Sequence, residues 1–240
     1  MNLSSFPIRL ISAAVLTCAA GASHAAFSFS TVTGANTAAT YAAGLLQPSG
    51  IDTFDDLMIN DGVGLSVASL NRSAGPVGYT VSTESELFAV QTNGIGGAGL
   101  SVANNTDTLT FSSFLLPTLN FGARFFLSDL SYGVNAGTMK VKATDMDGLT
   151  QEFTYNQTVN ASTSGATEPV FFRLGSTVAL QSVQLISPLI ATDSDGNPTT
   201  NPMVFGTADN VTVGAVPLPA AGWLLISGLA GMGLFKRRRS

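Results

Sequence analysis

Three short acidic stretches hold most of the chemistry this chain could perform. Thr53-Phe54-Asp55-Asp56-Leu57, the run from Asp193 to Asn197 and Ala208-Asp209-Asn210-Val211-Thr212 each bring carboxylates together with other polar groups. Such groups suit a hard cation. Calcium takes about six to eight oxygens and would have to gather them from several segments. Asp193, Asp195 and Asn197 alternate like the first half of an EF-hand loop, but neither flanking helices nor the closing glutamate follow. The same residues are ordinary turn formers. Paired carboxylates can also hydrolyse glycosides without histidine. The only glutamates are Glu84, Glu86, Glu152 and Glu168, and nothing in their spacing selects a pair. Glu84 and Glu86 would share one face of a strand, which reads as a solvated face.

What is missing narrows the field further. The only histidine is His24 and the only cysteine is Cys18, both close to the N-terminus. A domain starting at Ala26 therefore has neither. That excludes Ser-His-Asp and Cys-His nucleophiles, histidine or thiolate zinc sites, haem and iron–sulfur ligation, and an internal disulfide. The Gly-rich stretch Gly94–Gly99 lacks the lysine of a phosphate loop and reads as a hairpin connection. No catalytic residue is assigned. Between residues 26 and 215 lie five cations, Arg72, Arg124, Arg173, Lys140 and Lys142, against all 15 acids, a formal charge of −10. Such a surface repels phosphate backbones, so nucleic acid is not an expected partner.

The elements that must carry these residues read as β. Phe27 and Phe29 alternate with serines. Met139, Val141 and Ala143 alternate with Thr138, Lys140 and Lys142, and Val211, Val213 and Ala215 with Thr212 and Gly214. A period of two marks strands with one buried face. The runs Phe111–Leu116, Phe125–Leu127 and Phe171–Leu174 suggest strands buried on both faces. Turn signals at Asn60-Asp61-Gly62, Asp145-Met146-Asp147-Gly148 and Asp193–Pro198 separate them. The pattern predicts an all-β, antiparallel β-sandwich of the jelly-roll kind. A short helix is expected within Ala35–Leu46. With no disulfide, such a domain must rely on core size and strand pairing.

Both termini read as targeting segments. Arg9, the apolar stretch Leu10–Ala20 and the small residues Ser23 and Ala25 describe a secretory signal peptide over residues 1–25, cut between Ala25 and Ala26. At the other end, Leu218 to Phe235 is uncharged, about 27 Å as a helix, enough to cross a hydrocarbon core. Lys236, Arg237, Arg238 and Arg239 would stop it on the cytoplasmic side, leaving residues 26–215 as an extracytoplasmic domain. Pro217 and Pro219 disfavour helix just before the span and leave an extended peptide at the membrane surface.

Residues 216–240, with the proline pair, the Gly-rich apolar helix and the basic end, resemble a PEP-CTERM sorting signal. Leu218 stands where the name-giving motif has glutamate, and Val216-Pro217-Leu218-Pro219-Ala220 is similar to a frequent variant. The resemblance implies a route: export through the general secretory machinery, retention in the inner membrane by the C-terminal helix, and processing near the proline motif by an exosortase. It implies a Gram-negative source, an exopolysaccharide or biofilm setting, and a final place at the cell surface or in the matrix. The Phe-Asp-Asp segment and the Asp-Asn-Val-Thr-Val segment resemble parts of PEP-CTERM domains and carbohydrate-binding jelly rolls, in which a structural calcium can sit between the first and last strands. That similarity implies Asp55, Asp56 and Asp209 as calcium ligands; otherwise these carboxylates face water at strand ends. No other cofactor is expected. A carbohydrate-binding module is the alternative to a purely structural surface protein. Its aromatic platforms would come from Tyr41, Tyr79, Tyr132 and Tyr155, with Tyr132 and Tyr155 the best placed near turns.

Overall fold

A computed structural model describes residues 26–34, 36–45, 48–57, 63–91, 97–130, 133–157, 169–186, 190–191 and 203–216. The signal peptide through Ala25, the sorting residues from Pro217 to Ala220, the tail Lys236–Arg239, the Asp193–Asn197 stretch, Asn60–Gly62 and Tyr132 lie outside the described residues. Among the described residues, no helix is long and apolar enough to cross a membrane.

The chain opens with strand β1 (Phe27–Val32), helix α1 (Thr37–Gly44), β2 (Ser49–Asp52) and a single 3-10 turn at Asp55–Leu57. Six short strands follow: β3 (Val63–Gly64), β4 (Ser69–Ala74), β5 (Val77–Ser82), β6 (Leu87–Gln91), β7 (Ala98–Val102) and β8 (Leu109–Ser112). The second half holds β9 (Thr118–Ser128), β10 (Val134–Asn135), β11 (Gly137–Asp145), β12 (Thr150–Gln157), β13 (Phe171–Ser176), β14 (Leu180–Leu185), β15 (Ile190–Ala191) and β16 (Phe205–Ala215). The strands make two antiparallel sheets, the sandwich that the period of two predicts. The first runs β1-β13-β9-β16-β7-β6-β3, with β10 beside β9 and β2 beside β16. The second runs β12-β11-β14-β8-β5-β4, with β15 beside β11. The short helix expected within Ala35–Leu46 is α1.

The inner faces meet in one apolar core. Phe121, Ala123, Phe125 and Leu127 of β9, Phe172 and Leu174 of β13, and Val211, Val213 and Ala215 of β16 face Met139, Val141, Ala143, Phe111, Tyr79 and Val183 of the other sheet. Phe111, Phe121 and Phe125 pack ring against ring, with centroids 5.3–6.1 Å apart. Aromatic pairs at such distances add to the stabilisation from apolar burial, which here has no disulfide to help it.

The first and last strands of the β2–β16 pair lie side by side, with Asp52 opposite Val211. The long β9–β16 ladder carries a bulge between Asp209 and Thr212, where Asn210 takes a left-handed conformation (φ 52°). A short amide side chain tolerates that conformation better than a branched one. The expected strand over Phe111–Leu116 ends at Ser112, because Ser113 also turns left-handed (φ 52°) and Leu115 is exposed. Glu84 and Glu86 do not share a strand face. They lie in the β5–β6 connection, where each carboxylate accepts a backbone N–H, from Thr108 and from Ser66.

Candidate functional site

The two outer faces of the sandwich differ. On the second sheet the outward positions are solvated, as at the exposed Lys140–Glu152 ion pair of 3.2 Å and the Thr138–Asn156 bond. On the first sheet they are not. Phe126 and Phe171 alternate with core residues and so point away from the core, yet both are fully buried. Ser101, Thr207 and Ser128 form a buried row of hydroxyls joined by bonds of 3.0 and 2.7 Å. Beyond that row lies an apolar cavity of about 130 Å³ between Phe88, Val90, Leu130 and Phe205.

At the other end of this face, between α1 and strands β1, β13 and β9, lies a cleft of about 400 Å³ of mixed character, in which Ser28, Ser30, Tyr41, Asn120 and Arg173 stand beside Phe29 and Leu174. Helix α1 delivers Tyr41, whose hydroxyl points at the carbonyls of Leu174 (3.1 Å) and Phe121 (3.4 Å). Gly122 makes the approach possible: a Cβ there would stand 2.8 Å from the Tyr41 ring and 2.6 Å from Phe171. Burial pushes the Tyr41 phenol up to about 12, against the opposing pull of Arg173. The Arg173 guanidinium lies 5.1 Å from the Tyr41 ring centre, in cation–π range. Its Nε is buried and has no hydrogen-bond partner. Among the described residues no carboxylate comes within ion-pair distance of Arg173.

The Phe54-Asp55-Asp56 segment builds a different arrangement. Arg72 of β4 reaches Asp52 through Nε (2.9 Å) and Nη2 (2.5 Å), and Asp56 through Nη1 (2.7 Å) and Nη2 (2.6 Å). Asp52 also accepts from the Tyr79 hydroxyl (2.7 Å) and the Phe54 N–H (3.1 Å). Paired hydrogen bonds from one guanidinium to two carboxylates are among the strong polar contacts of proteins. The bonds to Arg72 hold Asp56 below the usual carboxylate range. Burial pushes Tyr79 well above the usual phenol value, helped by the charge of Asp52.

The three carboxylates expected to share a calcium ion are therefore divided. Asp56 is committed to Arg72. Asp55 accepts the Ala98 N–H (3.1 Å) and lies near enough to Asp209 for its charge to be felt there. Asp209 is buried, pairs across the ladder with Arg124, and accepts from the Asn210 amide (2.5 Å). Burial pushes its carboxyl up to about 7, with Asp55 adding to the rise and Arg124 opposing it. Among the described residues no three histidine, cysteine or acidic side chains gather at metal-binding distance.

No family model matches the chain. No curated protein is similar to it either. Among solved structures the chain is similar to the enzymatically active domain of tailspike protein 4 from bacteriophage CBA120, at 12% identity and a TM-score of 0.27. That likeness covers 68% of this chain and 20% of the other, so the chain spans about a fifth of the tailspike domain. A second similar structure is the CBM22-1 xylan-binding domain of Paenibacillus barcinonensis Xyn10C, at 14% identity and a TM-score of 0.22, covering 70% and 94% of the two chains. A third is a family 11 carbohydrate-binding module from Clostridium thermocellum bound to a mixed-linked tetrasaccharide, at 10% identity and a TM-score of 0.20, covering 71% and 98%. Scores this low carry nothing over to the present chain.

The aromatic residues fall differently from the expectation. Tyr155 is no platform: its ring stacks on Phe172 at 5.8 Å, its hydroxyl points at the Phe125 carbonyl, and burial pushes it above the usual phenol range. Tyr79 is in the core. Tyr41, which sequence reasoning did not favour, lines the cleft. Its one signal is its place in Ala35–Leu46, the stretch expected to hold a short helix.

Proposed function

We propose that this chain is an exported, non-catalytic surface protein whose sandwich domain holds an extracellular glycan in the cleft beside Tyr41 and Arg173. The observation that supports this reading most is the cleft itself. An immobilised aromatic ring, a guanidinium, an amide and two hydroxyls converge on one depression of an otherwise acidic domain. Sugar hydroxyls exchange hydrogen bonds with such groups, and a fixed ring costs little ordering entropy on binding. Export through the secretion machinery, retention by residues 218–235 and exosortase processing at Val216–Ala220 supply the route to the envelope. A pull-down of acidic and neutral polysaccharides with full-length protein in detergent tests the reading. Retention lost in Tyr41→Ala, in protein that is still folded at the assay temperature, supports it, and no retention of any polysaccharide removes it. The route is tested separately, by fractionating the native host with and without its exosortase and weighing the released chain.

The calcium reading narrows to Asp55 and Asp209, with Asp56 left on Arg72. A rise in melting temperature at millimolar calcium, reversed by chelator and absent in Asp209→Asn, supports it. The same melting curve with and without the ion overturns it.

A further inference from the structure

Among the cations of the described sandwich, Arg173 is the one that lines the cleft beside Tyr41. Arg72 has two carboxylates, Lys140 has Glu152, and Arg124 faces Asp209 across the ladder. Arg173 is stacked on Tyr41 and, like Arg124, has a buried Nε without a partner; among the described residues no carboxylate forms an ion pair with it, although the domain carries 15 acids. A ligand carboxylate in the cleft would give the guanidinium the charged acceptor that it lacks among the described residues. The cleft lining contains no acidic side chain to oppose an anion.

We infer that Arg173 is the anchoring group of this cleft for a carboxylate, and that the glycan bound there carries acidic sugars such as uronates, set apart by neutral ones. This deepens the glycan reading above and rests on it. One guanidinium matches one carboxylate in charge and in its planar fork geometry. No second cation lines the cleft to balance a doubly charged phosphate. Asn120, Ser28 and Ser30 are neutral and suit the hydroxyls of the same sugar ring. The spacing follows from the whole domain. With a formal charge of −10 over residues 26–215, a densely charged polymer would be repelled, whereas an isolated carboxylate delivered into the cleft is drawn by Arg173.

The test compares a glucuronate-containing oligosaccharide with its carboxyl-reduced, neutral counterpart, titrated into the full-length protein in detergent by calorimetry. Carboxyl reduction is expected to weaken binding at least about tenfold in the parent protein, as the loss of a charged hydrogen bond does. Arg173→Gln should then bind both sugars alike, at the level of the reduced one, and Arg173→Lys should recover part of the difference. Should Arg173→Gln fail to fold, the Lys variant and the reduced sugar still decide. Equal binding of the two sugars by the parent protein overturns the anchor while leaving the glycan reading in place. Binding of neither sugar, nor of any other glycan, overturns both. Displacement of the uronate by inorganic phosphate at equal concentration also overturns it, since the site would then be a general anion site.

Discussion

At the scale of single residues, Arg72 and Asp209 make opposite use of charge. Asp52 is buried with a side-chain exposure of 3%, whereas Asp56 is exposed at 67%. Replacing Arg72 by Met leaves Asp52 buried without its counter-charge, and the expected loss is about 3 kcal/mol. Asp56→Ala removes only an exposed partner and should cost less than about 1 kcal/mol. Urea midpoints of the two variants check the contrast; equal losses would mean that Asp52 does not depend on Arg72. Asp209 works the other way. Its carboxyl is raised to about 7 in the folded chain, well above the ordinary aspartate value of 3.8, so the folded state binds the extra proton between those limits. Stability is therefore greatest near pH 4 from this group and falls as pH rises through 7. Asp56, held low, contributes stability above its unfolded value and loses it only at lower pH, outside that window. The melting temperature should climb from pH 8 to pH 5 in the parent protein and stay nearly flat in Asp209→Asn. The sequence alone located Asp55, Asp56 and Asp209 but could not separate them. Their neighbours Arg72 and Arg124 come from other strands, and only tertiary pairing decides which acid meets which cation.

At the scale of elements, local pattern reached as far as local forces do. The alternation of Met139, Val141 and Ala143 and the Asp145–Gly148 turn describe the β11–β12 hairpin correctly, and Gly148 takes the positive φ (85°) that the turn requires. Pattern failed where one residue ended a strand, as at Ser113, and where carboxylates capped connections, as at Glu84 and Glu86. It also could not see the contact that holds β2 against the β4–β5 turn. There a Cβ on Gly50 would stand 2.4 Å from the backbone of Ala74 and Gly75, with no flexible side chain able to yield. Gly50→Ala should therefore push β2 off its place and cost at least about 2 kcal/mol. Because β2 carries Asp52, the same variant should also release Arg72. In a double-mutant cycle the losses from Gly50→Ala and Arg72→Met should then sum to more than the pair together. Strict additivity would show that β2 keeps its position.

At the scale of the whole molecule, the order of strands bears on the export proposed above. β16 is the last strand among the described residues, yet it is central to the first sheet, paired with β9 along one side and with β7 and β2 along the other. The β1 strand that follows the predicted signal cleavage pairs with β13, Phe27 opposite Ser176. The β1-β13-β9 and β7-β6-β3 portions of the first sheet join only through β16, and sheets built from such distant segments fold slowly. If the chain is exported as proposed, the first sheet would stay open until residues 205–215 have left the channel. The backbone then ties the exit of the domain at once: Ala215 donates to the Pro48 carbonyl (2.9 Å) and Val216 to that of Pro117 (2.8 Å). A chain ended after Val216 keeps every described strand, and its residues 26–216 should resist protease as well as they do in the full-length protein. A chain ended before β16, after Asn201, loses the partner of β9, β7 and β2 together and should be digested rapidly. If the shorter chain resisted protease as well as the longer one, β16 would not be what closes the sheet. In that event the processing proposed at the proline motif would have no folded boundary to follow.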